Sequence, residues 1–319
     1  MRMPVSLLAV LAALLMLAPG EAGRAGAAEP AGDPVVMAAG DIACGSDTTG
    51  GSCKQMATSD LLVAANPDAV LALGDVQYEL GQLSNFNDYF DPSWGRVKTS
   101  IRPAVGNHEY GTSNAQGYRD YFGYPSGVLY YSYELGSWRI YALDSNCSRT
   151  DCNAQATWLR QDAQQHPTRC QLAYMHHPLV SSDTRNFDAT AALLAVYQAF
   201  YDIGGDLVLV GHSHFYERFA KQNPQLQADA RGFRQIVVGT GGRNVYGFGT
   251  IKNLSEVRNG TTFGVLEVVL HPSTYDWTFV AIAGSTSGFT DAGIAEPCYA
   301  GTPTSVKRLD RRPSGSRAL

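Results

Sequence analysis

Leu207-Val208-Leu209-Val210-Gly211-His212-Ser213-His214 is the stretch on which the reading of this 319-residue chain turns. Four apolar residues closed by a glycine match a strand buried on both faces, as strands of a parallel sheet are. Glycine lets the chain turn at the strand's C-terminal end, where ligands gather in α/β sheets. Two imidazoles two residues apart on that turn can point into one cavity. A lone His-x-His pair at a strand end is also compatible with an ordinary polar loop, so the other strand ends decide the reading.

The same pattern recurs at other points of the chain. Val35–Ala39 is an apolar run closed by Gly40-Asp41. Ala69–Leu73 is closed by Gly74-Asp75, with Tyr78 three residues on. Ile101–Val105 leads into Gly106-Asn107-His108-Glu109, and Leu172–Met175 into His176-His177-Pro178. Five of the seven histidines therefore sit at strand tips. Parallel strands bring such tips to one sheet edge, so these groups are expected to converge. Carboxylate, amide and phenol oxygens together with imidazoles suit zinc or a transition metal. The donors outnumber what one ion needs. Two ions bridged by one carboxylate would use them all, and paired cations clamp phosphoryl oxygens and offset transition-state charge.

Between the tips, Thr58–Ala65, Asn85–Phe90, Thr157–Gln165 and Ala189–Ile203 read as helices. Tyr130–Leu135 and Trp138–Leu143 read as a hairpin about Gly136, and Gln235–Val238, Phe263–Leu270 and Tyr275–Ile282 as further strands. The tyrosine-rich segment from Tyr110 to Tyr133 is either core packing or a wall over the site. Gly239-Thr240-Gly241-Gly242 has no Lys-Ser/Thr after it. It reads as a turn packing near the site rather than a nucleotide loop. Asn146, Asn253 and Asn259 begin glycosylation sequons.

Residues 1–27 read as a cleavable signal peptide: Arg2, the apolar stretch Val5–Ala18, then Ala25-Gly26-Ala27. The expected organisation is one catalytic domain over residues 33–300 and a disordered basic tail over 306–319. The mature protein is then secreted or periplasmic, with no membrane span after cleavage. Over the whole chain 24 Lys and Arg face 29 Asp and Glu; removing Arg2, Arg24 and Glu21 leaves 22 against 28, a net charge of −6. That acidic balance is not built to hold nucleic acid. Six cysteines in an exported chain point to three disulfides among 15 pairings. Spacing favours Cys44–Cys53 and Cys147–Cys152, each closing a short loop, which leaves Cys170–Cys298.

The ordered blocks Gly-Asp, Gly-Asp-x-x-Tyr, Gly-Asn-His-Glu, His-x-Pro and Gly-His-x-His, spanning residues 41–214, resemble the calcineurin-like metallophosphoesterases. Tyr78 points to the purple acid phosphatase-like branch. The resemblance implies an α/β fold, a four-layer α/β/β/α sandwich with two mixed β-sheets. It implies that Asp41, Asp75, Tyr78 and His214 hold ferric iron, Fe(3+). Asp75 would bridge to a second ion, Zn(2+), Mn(2+) or Fe(2+), held by Asn107, His176 and His212. His108 would face the substrate as general acid or oxyanion stabiliser, Glu109 would orient it, and His177 would stand behind the ligands or pack. The branch usually has glycine where Ala43 stands, and its plant members carry histidines where Leu179–Thr190 has none.

The implied activity is a binuclear metal-dependent phosphatase. A metal-bound hydroxide attacks a small phosphomonoester in line. A phosphodiesterase or nucleotidase on the same scaffold is the alternative, decided by how Gly111–Leu129 closes the pocket. A catalytically silent surface protein is the distant one, and it would be expected to lack ligands.

Overall fold

The computed structural model describes residues 32–45, 53–185, 189–285 and 287–299. The expected signal peptide and basic tail lie outside the described residues. In chain order the elements begin β1 (Val35–Ala39), α1 (Gln55–Ala65), β2 (Ala69–Leu73) and α2 (Leu83–Asn85), which continues as a π-helical turn over Phe86–Phe90. A 3-10 segment, Trp94–Ser100, leads to β3 (Ile101–Ala104), α3 (Gln116–Phe122), β4 (Tyr131–Leu135), β5 (Trp138–Ala142), α4 (Cys152–Gln165) and β6 (Cys170–Met175). Then come α5 (Ala191–Asp202), β7 (Leu207–Val210), β8 (Tyr216–Phe219), β9 (Arg234–Val238), β10 (Ser255–Asn259), β11 (Gly264–Leu270), β12 (Thr274–Ala281) and β13 (Ala292–Pro297).

Two mixed sheets form. The six-stranded one runs β13-β12-β11-β1-β2-β3 and the seven-stranded one β10-β8-β9-β7-β6-β5-β4. In the first, β1, β2 and β3 are parallel neighbours. In the second, β5, β6, β7 and β9 are. The site residues are therefore gathered from two sheets rather than along one edge.

Residue alternation along the central strands explains the layering. Leu207 and Leu209 of β7, with Leu172 and Tyr174 of β6, join the core between the sheets, which also holds Val36 and Leu71. Val208, Val210, Ala173 and Met175 point the other way, onto Leu159 of α4 and Val196, Tyr197 and Phe200 of α5. A period of two places successive side chains on opposite faces, so a strand covered on both sides must be apolar throughout. Each such fully buried Leu or Val contributes about 1.5–3 kcal/mol of transfer free energy.

Local chemistry moves some boundaries. The helix expected from Thr157 begins at Cys152, because the Asp151 carboxylate accepts the N–H groups of Asn153 and Ala154, each at 3.0 Å. Strand β10 reads Ser-Glu-Val-Arg-Asn and carries no apolar pattern; it forms by antiparallel pairing with β8 at the sheet edge. The tyrosine-rich segment is core rather than a wall: Tyr118, Tyr121 and Leu129 are buried in the main hydrophobic cluster, with Phe122, Tyr124, Tyr131 and Tyr133 packed against it. Three disulfides join Cys44–Cys53, Cys147–Cys152 and Cys170–Cys298. Among the described residues no helix is long and apolar enough to cross a membrane.

Candidate metal centre

The strand tips of both sheets meet. Asp41 follows β1, Asp75 follows β2 and Asn107 follows β3; His176 and His212 follow β6 and β7. Main-chain bonds stitch the tips together: Asp41 N–H to Gly74 C=O at 3.1 Å, Gly40 N–H to Val238 C=O at 2.9 Å and Gly211 N–H to His176 C=O at 3.0 Å. Asp41, Asp75 and His212 all lie in the left-handed region, with φ of 59°, 46° and 69°. Non-glycine residues rarely adopt it, and such backbone concentrates at functional sites. Gly74 lets the tips close. Its φ is +79°, and a Cβ there would lie 2.7 Å from the Cβ of His176.

Two groups of donor atoms result. The Tyr78 hydroxyl lies 2.8 Å from Asp41 Oδ1, 3.2 Å from Asp75 Oδ2 and 3.1 Å from His214 Nε2. His214 Nε2 is also 3.1 Å from Asp41 Oδ1. In the second group His176 Nε2 lies 3.0 Å from Asp75 Oδ2, and His212 Nδ1 lies 3.2 Å from both His176 Nε2 and Asn107 Oδ1. Asp75 Oδ2 belongs to both groups. Donors about 3 Å apart suit ligands around an ion bonded at about 2.0–2.2 Å. The residues present therefore fit a metal pair, for which Asp75 would be the donor common to both groups.

Protonation fits ligation too. Burial opposes charge on Asp75, yet His176 and His108 outweigh it and hold the carboxyl below the usual range. Asp41 is likewise lowered, by His214 against burial. Burial and His176 push His212 down to about 3, so its imidazole is neutral. Burial opposes charge on His176, but Asp75 lifts it to about 9, so a cation would take the place of that proton. Tyr78 is raised well above its ordinary range by burial and by Asp41 and Asp75, so a phenolate there needs a cation.

Behind the donors, the unused ring nitrogens are held. His176 Nδ1 meets Leu73 C=O at 3.0 Å and His214 Nδ1 meets Asn244 Oδ1 at 2.8 Å, which leaves each Nε2 for the site. His108 stands at the mouth, its side chain 30% exposed and its Nε2 3.8 Å from Asp75 Oδ2. Its Nδ1 bonds to the carbonyl of Glu79 at 2.5 Å, and its N–H donates to Asp75 Oδ1 at 2.8 Å.

Sequence reading expected Glu109 to orient the His108 ring; it bonds elsewhere. Its buried carboxylate accepts the N–H groups of Gln77 at 3.1 Å and Gly106 at 2.8 Å, bracing the turns that carry Asp75 and Asn107. Burial and Asp75 raise Glu109 to about 8. His177 lies near His176 and His212, close enough for the three to share an ion. Ser145 Oγ sits 2.8 Å from its Nδ1. A cavity of about 220 Å³ opens beside Asn107 and His177, lined also by Ser145, Asn146, Ser148 and Thr190.

Sequence reading missed Asn244, which follows the glycine run after β9; Gly241 N–H donates to Gly40 C=O at 2.9 Å and so docks that run on the first tip. It also missed Arg185, whose Nη2 donates to the His212 carbonyl at 3.1 Å and to the Tyr246 hydroxyl at 2.7 Å. The buried Asp183 carboxylate accepts from Arg185 Nε and Nη2. The Tyr246 ring stacks on His214 at 5.2 Å. No strand tip or spacing marks Arg185. A further grouping of Cys170, Asp206 and Cys298 is no thiolate site, because the two cysteines are bonded to each other.

A family model for calcineurin-like phosphoesterases matches residues 34–216. The chain is 27% identical to purple acid phosphatase 15 of Arabidopsis thaliana over 219 residues, 57% of this chain and 41% of that protein. It is 28% identical to a phosphoenolpyruvate phosphatase of Allium cepa over 192 residues, 53% of this chain and 40% of the other. Its fold superposes on a purple acid phosphatase from yellow lupin (Lupinus luteus) seeds with a TM-score of 0.65 at 17% identity, covering 81% of this chain and 53% of that one. The chain thus spans about two fifths of the length of these curated relatives.

Proposed function

The chain belongs to the calcineurin-like phosphoesterase family, and from that premise we propose that it is an exported phosphatase hydrolysing small phosphomonoesters at a two-metal centre. The observation that carries this reading is the position of Asp75 Oδ2, within 3.2 Å of Tyr78 on one side and 3.0 Å from His176 on the other. Tyr78, Asp41, Asp75 and His214 would hold one ion, ferric iron by the hardness of its phenol and carboxylate donors. Asn107, His176 and His212 would hold a divalent zinc, manganese or iron, with Asp75 shared. When bound, such a pair supplies positive charge to phosphoryl oxygens and lowers the pKa of coordinated water.

The chain's own groups do the rest. His108 is held by the Glu79 carbonyl with Nε2 toward the site, where it can donate to the ester oxygen or to the charge that develops on phosphorus. Glu109 keeps the Asp75 and Asn107 turns in register. The cavity beside Asn107, lined by neutral polar side chains together with Leu193 and Cys147, would give the alcohol part of the ester an uncharged place to lie. Three disulfides and the apolar N-terminal stretch support export.

Hydrolysis of p-nitrophenyl phosphate beside bis(p-nitrophenyl) phosphate, on protein of measured metal content, tests the reading. Preference for the monoester is expected. Preference for the diester moves the chain to the phosphodiesterase reading. No turnover of either with both metals bound overturns the enzyme reading.

A further inference from the structure

We propose that Arg185 is a specificity-determining residue that receives a second anionic group on the substrate, a carboxylate or phosphate beyond the phosphoryl group that reacts. The proposal rests on the phosphatase reading above and names its substrate class. Among the donors of Arg185, Nε and Nη2 are committed to Asp183, Tyr246 and the His212 carbonyl. Nη1 makes no hydrogen bond among the described residues, and 54% of the side chain is exposed. Two N–H groups of a pinned guanidinium therefore face outward beside His212.

The pinning matters. Asp183 is fully buried and accepts at 2.7 Å from Nη2 and 3.0 Å from Nε, so the plane of the guanidinium is set before any ligand arrives. Tyr246 closes the other side, donating to Asp183 at 2.8 Å while its ring covers His214. A preorganised guanidinium loses little freedom on binding, and its remaining Nη1 offers charge-assisted N–H groups to an oxygen of a carboxylate or phosphate. Asp183 offsets much of the charge, so the contribution is directional rather than a long-range field. The carbonyl that anchors Nη2 belongs to His212. The guanidinium is thereby anchored on the backbone of a residue proposed to hold metal.

Two non-hydrolysable probes separate this from the phosphatase reading. Methylphosphonate and phosphonoacetate share a phosphonate, and only the second carries a carboxylate. Their binding is measured by calorimetry on the metal-loaded protein, for wild type, Arg185→Ala and Arg185→Lys. Wild type is expected to favour phosphonoacetate by roughly tenfold, the scale of one charge-assisted hydrogen bond. Arg185→Ala should abolish the preference, and Arg185→Lys, which keeps the charge without the pinned guanidinium plane, should retain only part of it. A preference that survives intact in Arg185→Ala belongs to the metals and overturns the proposal, as does equal affinity in wild type. Binding of neither probe to the metal-loaded wild type overturns the phosphatase reading and this inference with it. Turnover of p-nitrophenyl phosphate together with equal probe affinities leaves the phosphatase reading standing and removes Arg185 alone. Thermal melting of the variants establishes that they are folded, and Arg185→Lys supplies the comparison if Arg185→Ala is not.

Discussion

At the scale of single residues, Asp75 and Asn244 carry different loads. Asp75 offers one oxygen to both donor groups, so Asp75→Ala should release both ions together, read as metal per chain by elemental analysis; retention of one ion would separate the two sites. Among the described residues the Asn244 side chain hydrogen-bonds to His214 Nδ1 alone. Asn244→Ala frees that ring and should weaken the Tyr78-side ion by about 10–100-fold, leaving the other ion in place, as titration with a competing chelator would show. Equal weakening of both would make Asn244 a general structural support instead.

At the scale of elements, the tip of β2 is the most constrained. Gly74 combines a positive φ with a missing Cβ that would sit against His176. Gly74→Ala should cost about 1–3 kcal/mol in urea unfolding and displace His176, lowering metal content more than a surface substitution of equal cost. A variant with full metal content would mean that the two tips adjust independently. The helices show the opposite balance. The starts of α4 and α5 follow local rules, through the Asp151 and Thr190 caps, and their faces follow the core they cover.

At the scale of the whole molecule, Cys170–Cys298 joins the start of β6 to the chain just past β13, and so ties the two sheets across 128 residues. Loop-closure entropy values that bond at roughly 5 kcal/mol and the five-residue Cys147–Cys152 loop at roughly 2. Serine pairs at the two bonds should differ in that order in urea unfolding; equal losses would refute the ordering. Asp206 lies against the same tie, accepting N–H groups from Gln171 and Tyr299, and burial raises its carboxyl to about 7. A folded pKa above the unfolded 3.8 means the folded chain holds the extra proton. Its stabilisation is full below pH 4 and is lost as pH rises through 7. Between pH 5 and 8, wild type should therefore lose on the order of 2 kcal/mol relative to Asp206→Asn. Parallel pH profiles would show that Asp206 titrates normally.

Much of this was legible in the chain itself. The apolar runs ending in Gly-Asp, Gly-Asn-His and Gly-His-Ser-His identify buried strands with polar tips, because burial on both faces forces an unbroken apolar run and a glycine is needed where the tips close. The expected donors at those tips do come within about 3 Å of one another. What the chain alone left undecided has one physical cause: it depends on contacts between residues far apart in sequence. Only the folded structure draws the tips from two sheets, puts Glu109 on the Gln77 and Gly106 amides rather than on His108, turns the tyrosine-rich segment into core, and brings Asn244 and Arg185 to His214 and His212. Periodicity records which face of an element is buried; it carries no record of which neighbour buries it.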